Sequence, residues 1–187
     1  YVLRYGDRAL VVDFATGRWL DHLDEIGVRC VEHVVLTHAH RDQCCGLYRI
    51  GLGDWTLHVP AGDRALLAPE QHEQFWDIYQ HNGCPTNYAA PRLPLPEAVY
   101  DLHADGELQL GPVRLCAMAT PGHTRGALTY LVEWNGCDVA FCGDALQEGG
   151  AIHQPYHLEW DHWTASGASA AWHGLERLSY CHIDMLL

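Results

Sequence analysis

The chain has no apolar run long enough to cross a bilayer, and its first residues do not read as a signal peptide. No membrane span is expected, and the reading places the protein in the cytoplasm. Basic residues are scarce: 11 Lys and Arg stand against 24 Asp and Glu, a formal net charge of −13. With no basic stripe, most of the surface repels phosphate. This argues against a general nucleic-acid binder and leaves a small molecule as the expected partner. None of the eight cysteines (30, 44, 45, 84, 116, 137, 142 and 181) is spaced as C-x-x-C. Several lie inside apolar runs, so they read as buried thiols of a reducing compartment rather than a disulfide framework. There is no internal repeat, and Ser166, Ser169 and Ser179 have no evident partners for a Ser-His-Asp nucleophile. Nothing in the chain fixes an oligomeric state.

What is present is ordinary globular material. The 187 residues are 48% hydrophobic, enough for one domain, 1–187, with a sizeable core. Short β-rich runs cover Tyr1–Tyr5 and Ala9–Asp13, split by the turn signal Gly6-Asp7. Apolar spacing at Trp19, Leu20, Leu23 and Ile26 predicts an amphipathic helix over 18–26. Strands are expected at 31–36, 56–59, 107–110, 113–117, 127–132, 139–142 and 183–187. Helices are expected at 42–50, 63–67, 70–81 and 165–178. The aromatic- and proline-rich stretch 61–96 reads as a substrate lid or as a surface excursion packed on the core.

The chemistry gathers in Val34-Val-Leu-Thr-His-Ala-His-Arg-Asp-Gln43. A buried strand ends near Thr37 and is followed by His38, His40 and Asp42. On an extended segment, alternate residues point the same way. Two imidazoles and a carboxylate within five residues suit a catalytic metal site. Partners appear downstream at two further strand ends: His123 follows the Pro121-Gly122 turn, and Asp144 follows Val139–Cys142.

These pieces, with Val12-Asp13-Phe14-Ala15-Thr16-Gly17, resemble the metallo-β-lactamase superfamily, and they occur in that family's order over nearly the whole chain. The resemblance implies an α/β four-layer αββα sandwich with metal along one edge. It also implies that His38, His40 and His123 hold one zinc ion, that Asp42 belongs to a second, and that Asp144 bridges the two. Asp13 would orient the site without touching metal. Two departures stand out. Gln43 occupies the position where the family places another histidine, and an amide oxygen is a poorer zinc donor than imidazole. The chain also ends before the loop expected to carry a last histidine, so it reads as a fragment shortened at both ends.

A zinc ion on three histidines activates water for attack on an ester, thioester, lactone or amide, with Asp42 positioned to take up the proton. The expected activity is therefore a zinc-dependent hydrolase. One alternative is a mononuclear iron site on His38, His123 and Asp144 that oxidises a thiol or persulfide. Another is a catalytically weakened metal-binding module, to which Gln43 points.

Overall fold

The computed structural model describes residues 1–51, 54–68, 98–152 and 165–187. Among these residues, ten strands form two five-stranded sheets. The first contains β1 (Val2–Tyr5), β2 (Arg8–Val12), β3 (Cys30–Val35), β4 (Thr56–Pro60) and β5 (Val99–Leu102), in that spatial order. The second contains β6 (Glu107–Leu110), β7 (Val113–Ala119), β8 (Leu128–Trp134), β9 (Cys137–Phe141) and β10 (Met185–Leu186), ordered β10-β9-β8-β7-β6. β2 to β5 run parallel, with β1 antiparallel on β2. β6 to β9 are antiparallel, and β10 joins β9 in parallel.

Residue alternation explains how the sheets stack. Leu10, Val12 and Val35 face Leu115, Tyr130, Val132 and Phe141 in one core between the sheets. Val11, Val34 and Leu36, one residue out of phase, face outward into a second core with Leu57, Val59, Leu47 and Phe14. A strand buried on both faces reads as a continuous apolar run, which is why β2 and β3 carry Leu-Val-Val and Val-Val-Leu. Among the described residues, short helical pieces cover that outer face: α1 (Arg41–Cys44) and 3-10 turns at Arg18–His22, Asp24–Ile26, Leu47–Arg49 and Ala61–Leu67. The longer α2 (Ala165–Ser179) packs beside β7. The sandwich is thus as expected, with thin helical layers. Among the described residues, no helix is long and apolar enough to cross a membrane.

Several expectations need correction. The segment 18–26 forms two 3-10 turns, because Gly17 and Gly27 close it into short left-handed-capped pieces. The helix expected over 42–50 breaks after Cys44 and resumes as a 3-10 turn, because Gly46 sits against the backbone of Thr16 and Gly17. β5 was not anticipated: its exposed Tyr100 and Asp101 disguise an edge strand. Of the seven described cysteines only Cys44 and Cys142 are buried, since Cys30 and Cys137 occupy exposed strand positions. The expected helix over 70–81 and most of the stretch 61–96 lie outside the described residues.

Two histidines are built into the fold rather than into a site. His58 is 5% exposed and pairs in register with Val35 and Tyr100, its ring 3.4 Å from His33 and stacked on Tyr100. Burial, with the neighbouring His33, lowers its pKa from 6.5 to about 4. The folded state therefore resists protonation that the unfolded chain accepts. The His58 contribution to stability is complete above pH 6.5 and is lost as pH falls from there towards about 4. As pH falls across this range, the denaturant midpoint of wild type should drop relative to that of His58→Leu; an identical pH dependence in the two proteins would show that His58 contributes none of it.

Candidate metal centre

Topology brings the loops that carry the candidate ligands together. β2, β3 and β4 are parallel and so end on one edge; β7 and β9, separated by the antiparallel β8, likewise share an edge. Thr37 joins the two edges. Its carbonyl accepts from Leu128 N at 2.9 Å, while the buried Tyr130 hydroxyl donates to Leu36 O at 2.5 Å. The strand stops here because Asp13 captures Thr37: the carboxylate accepts from Thr37 N and from Thr37 Oγ1, both at 2.8 Å. Desolvation pushes the Asp13 carboxyl up to about 7 against the pull of these two bonds.

The Thr37 hydroxyl also lies 3.1 Å from His38 Nδ1. A hydroxyl has one proton, and an ionised Asp13 can only accept. With Thr37 donating to Asp13, His38 must donate from Nδ1, which leaves a lone pair on Nε2. That Nε2 is buried and makes no hydrogen bond. Burial, and then the neighbouring His40 and His123, holds the His38 pKa well below its usual value, so the ring stays neutral.

His40 and His123 complete a tripod. The three rings stand edge-on, with centroids 4.6 to 4.8 Å apart and interplanar angles of 82° to 90°. One nitrogen from each ring lies within 4.8 Å of the others. His40 Nδ1 and His123 Nε2 approach to 2.8 Å. Nitrogens around a tetrahedral zinc stand about 3.3 Å apart, so the donor set fits a metal with small adjustment. Asp144 joins from the end of β9, its Oδ2 3.2 Å from His123 Nε2 and 3.9 Å from His38 Nε2. Gly143 makes that approach feasible, since a Cβ there would fall 2.3 Å from Thr37 Oγ1.

The structure therefore brings His38, His40, His123 and Asp144 together. Asp42 is exposed on the first turn of α1, outside the group of converging nitrogens. The alternate-residue argument does not reach it, because β3 ends at Val35 and the chain turns helical at Arg41. Gln43 fastens the loop through its backbone, accepting from Phe14 N and Ala15 N, and its side-chain Oε1 is buried without a hydrogen bond. One residue passed over in the sequence is Asp63, fully buried and bonded to both ligand loops. Its only sequence signal is an acid directly after β4 and a glycine. His157 and His162 lie outside the described residues.

The profile of the metallo-beta-lactamase superfamily matches residues 1–177. The chain belongs to the metallo-beta-lactamase superfamily. It is 30% identical over 150 residues to a hydroxyacylglutathione hydrolase of Shewanella sp. (strain ANA-3), an alignment covering 80% of this chain and 44% of that protein. It is 41% identical over 117 residues to the probable metallo-hydrolase YqgX of Bacillus subtilis (strain 168), covering 63% of this chain and 50% of that one. The chain thus spans about half the length of the curated relatives it matches. Among solved structures, a Cronobacter sakazakii metallo-beta-lactamase described by a HARLDQ motif superposes with a TM-score of 0.66 at 18% identity, over 100% of this chain and 71% of that one. That motif ends, like His38-Ala-His-Arg-Asp-Gln43, in Asp-Gln.

Thr37→Val should leave the fold intact and weaken binding of a divalent metal, with zinc as the probe, about 10- to 100-fold, the usual cost of losing a partner that orients a ligand. Titration calorimetry checks this, and wild-type affinity would show that the hydroxyl does not orient His38.

Proposed function

We propose that this chain is the metal-binding part of a zinc-dependent hydrolase of small esters, with a thioester as the first substrate to test. The observation that carries this reading is the convergence of three mutually perpendicular imidazoles on one point, with His38 Nε2 buried and bare. The hydrolase names of two relatives support the reaction class, and the glutathione thioester hydrolase among them supports the substrate class.

His38, His40 and His123 would hold the metal. Bound zinc supplies Lewis acidity, which polarises a carbonyl and brings the pKa of water to about 7. Asp144, held against the imidazoles, offsets the positive charge and contacts a second ion when one binds. We assign Asp42 the proton released during attack because it is an exposed carboxylate on the turn that directly follows His38 and His40. The Gln43 amide oxygen, buried without a hydrogen bond, would be a weaker donor to a second ion than imidazole, so one tightly held ion per chain is expected. A second reading draws on the approach of Asp144 to His38 and His123, which matches a two-histidine, one-carboxylate iron site.

Metal analysis of purified protein, coupled to a thioester hydrolysis assay, tests both readings. One tightly held zinc per chain is expected, lost in His38→Ala and His123→Ala. Asp42→Asn should keep that ion and lose about 10²- to 10⁴-fold in turnover. Stoichiometric iron with oxygen uptake on a thiol would replace the hydrolase reading, and thioester turnover unaffected by chelator would overturn it.

A further inference from the structure

The histidines of the candidate centre come from two loops far apart in sequence. His38 and His40 follow β3, and His123 follows β7. Their spacing is set by whatever couples those loops, and one side chain does so directly. Asp63 lies in the 3-10 turn Ala61–Leu67 after β4 and is 1% exposed. Its Oδ2 accepts from Ala39 N at 3.1 Å and from Thr124 Oγ1 at 2.6 Å. Its Oδ1 accepts from Gly126 N at 2.8 Å. Ala39 is the residue between His38 and His40, and Thr124 is the residue after His123. A single carboxylate thus grips both ligand loops within one residue of each ligand.

The backbone closes around this grip. A Cβ on Gly126 would fall 2.4 Å from Asp63 Oδ1, and one on Gly62 would fall 2.7 Å from Gly126 Cα. The turn and the His123 loop therefore meet backbone to backbone, and no intervening side chain can absorb a shift. Three donors, two of them backbone N–H groups, match an acceptor-only carboxylate. An amide does not match them. Wherever Asn placed its NH₂, that group would oppose either Ala39 N–H or Gly126 N–H.

We propose that Asp63 is a positioning residue that fixes the separation of the two ligand loops and so sets the affinity of the metal centre. The inference rests on the reading of His38, His40 and His123 as metal ligands. Without the clasp, binding must draw the loops into register at its own expense, so affinity falls before the sandwich is lost.

The test is zinc affinity, measured by competition with a chromophoric chelator, alongside thermal unfolding of the metal-free protein. Asp63→Asn should weaken binding about 10- to 100-fold, the range for partners that orient ligands, and Thr124→Val about 10-fold. Thr124→Ser, which keeps the hydroxyl, should stay within about threefold of wild type. Cobalt-substituted Asp63→Asn should also show an altered visible spectrum, which a change in stability alone does not produce. Should Asp63→Asn fail to fold, the contrast between Thr124→Val and Thr124→Ser decides. Wild-type zinc affinity in folded Asp63→Asn or Thr124→Val overturns the clasp alone. A wild-type chain that binds no zinc overturns the metal-centre reading and the clasp with it.

Discussion

The site depends on what Thr37 is made to do by Asp13. Two short bonds from one carboxylate end the central strand, orient a hydroxyl and fix the backbone of the next residue, His38. The same threonine ties the first sheet to the second through Leu128 and leaves room for Asp144 only because residue 143 is glycine. Taking a carboxylate out of water at the end of a strand is costly. Here the Thr37 donors offset that cost, and the carboxylate in turn selects which nitrogen of His38 carries the proton.

Around that chain the fold acts as a frame. Parallel strands deliver Asp13, His38 and Asp63 to one edge, while β7 and β9 deliver His123 and Asp144 from the facing sheet. Asp13 acts through Thr37 on one candidate ligand, His38. Asp63 governs the distance between two loops. The two carboxylates divide orientation from spacing, and neither is needed as a ligand. Other histidines serve packing, such as His33 and His58, whose lowered pKa values follow from burial. A separate exposed group, Asp138, His182 and Asp184, lies where β9 meets the residues entering β10, and there Asp184 accepts from Asp138 N.

Much of this was legible in the sequence, for identifiable reasons. Strand ends carrying His38, His123 and Asp144 are visible because an apolar run gives way abruptly to a polar donor, and a sheet gathers such ends at one edge. The Asn135-Gly136 turn between β8 and β9 is equally plain, both residues having positive φ. Illegible were features set by tertiary contact. Asp42 leaves the extended path because α1 begins at Arg41, a switch that no local periodicity announces over four residues. Asp63 is invisible as a clasp because its partners lie 24, 61 and 63 residues away. The cysteines misled because thiols were read by the hydrophobicity of their neighbours, whereas exposure depends on which face of the strand each occupies.

The claim on which this account turns is that Asp13, acting through Thr37, presents His38 to a metal by Nε2. Long-range ¹H–¹⁵N correlation spectra of the imidazoles, recorded on metal-free protein above the Asp13 pKa of about 7, read the tautomer directly. The account predicts a neutral His38 protonated on Nδ1 with Nε2 bare, and loss of that preference in Asp13→Ala. A proton on Nε2 in the wild-type protein would contradict it.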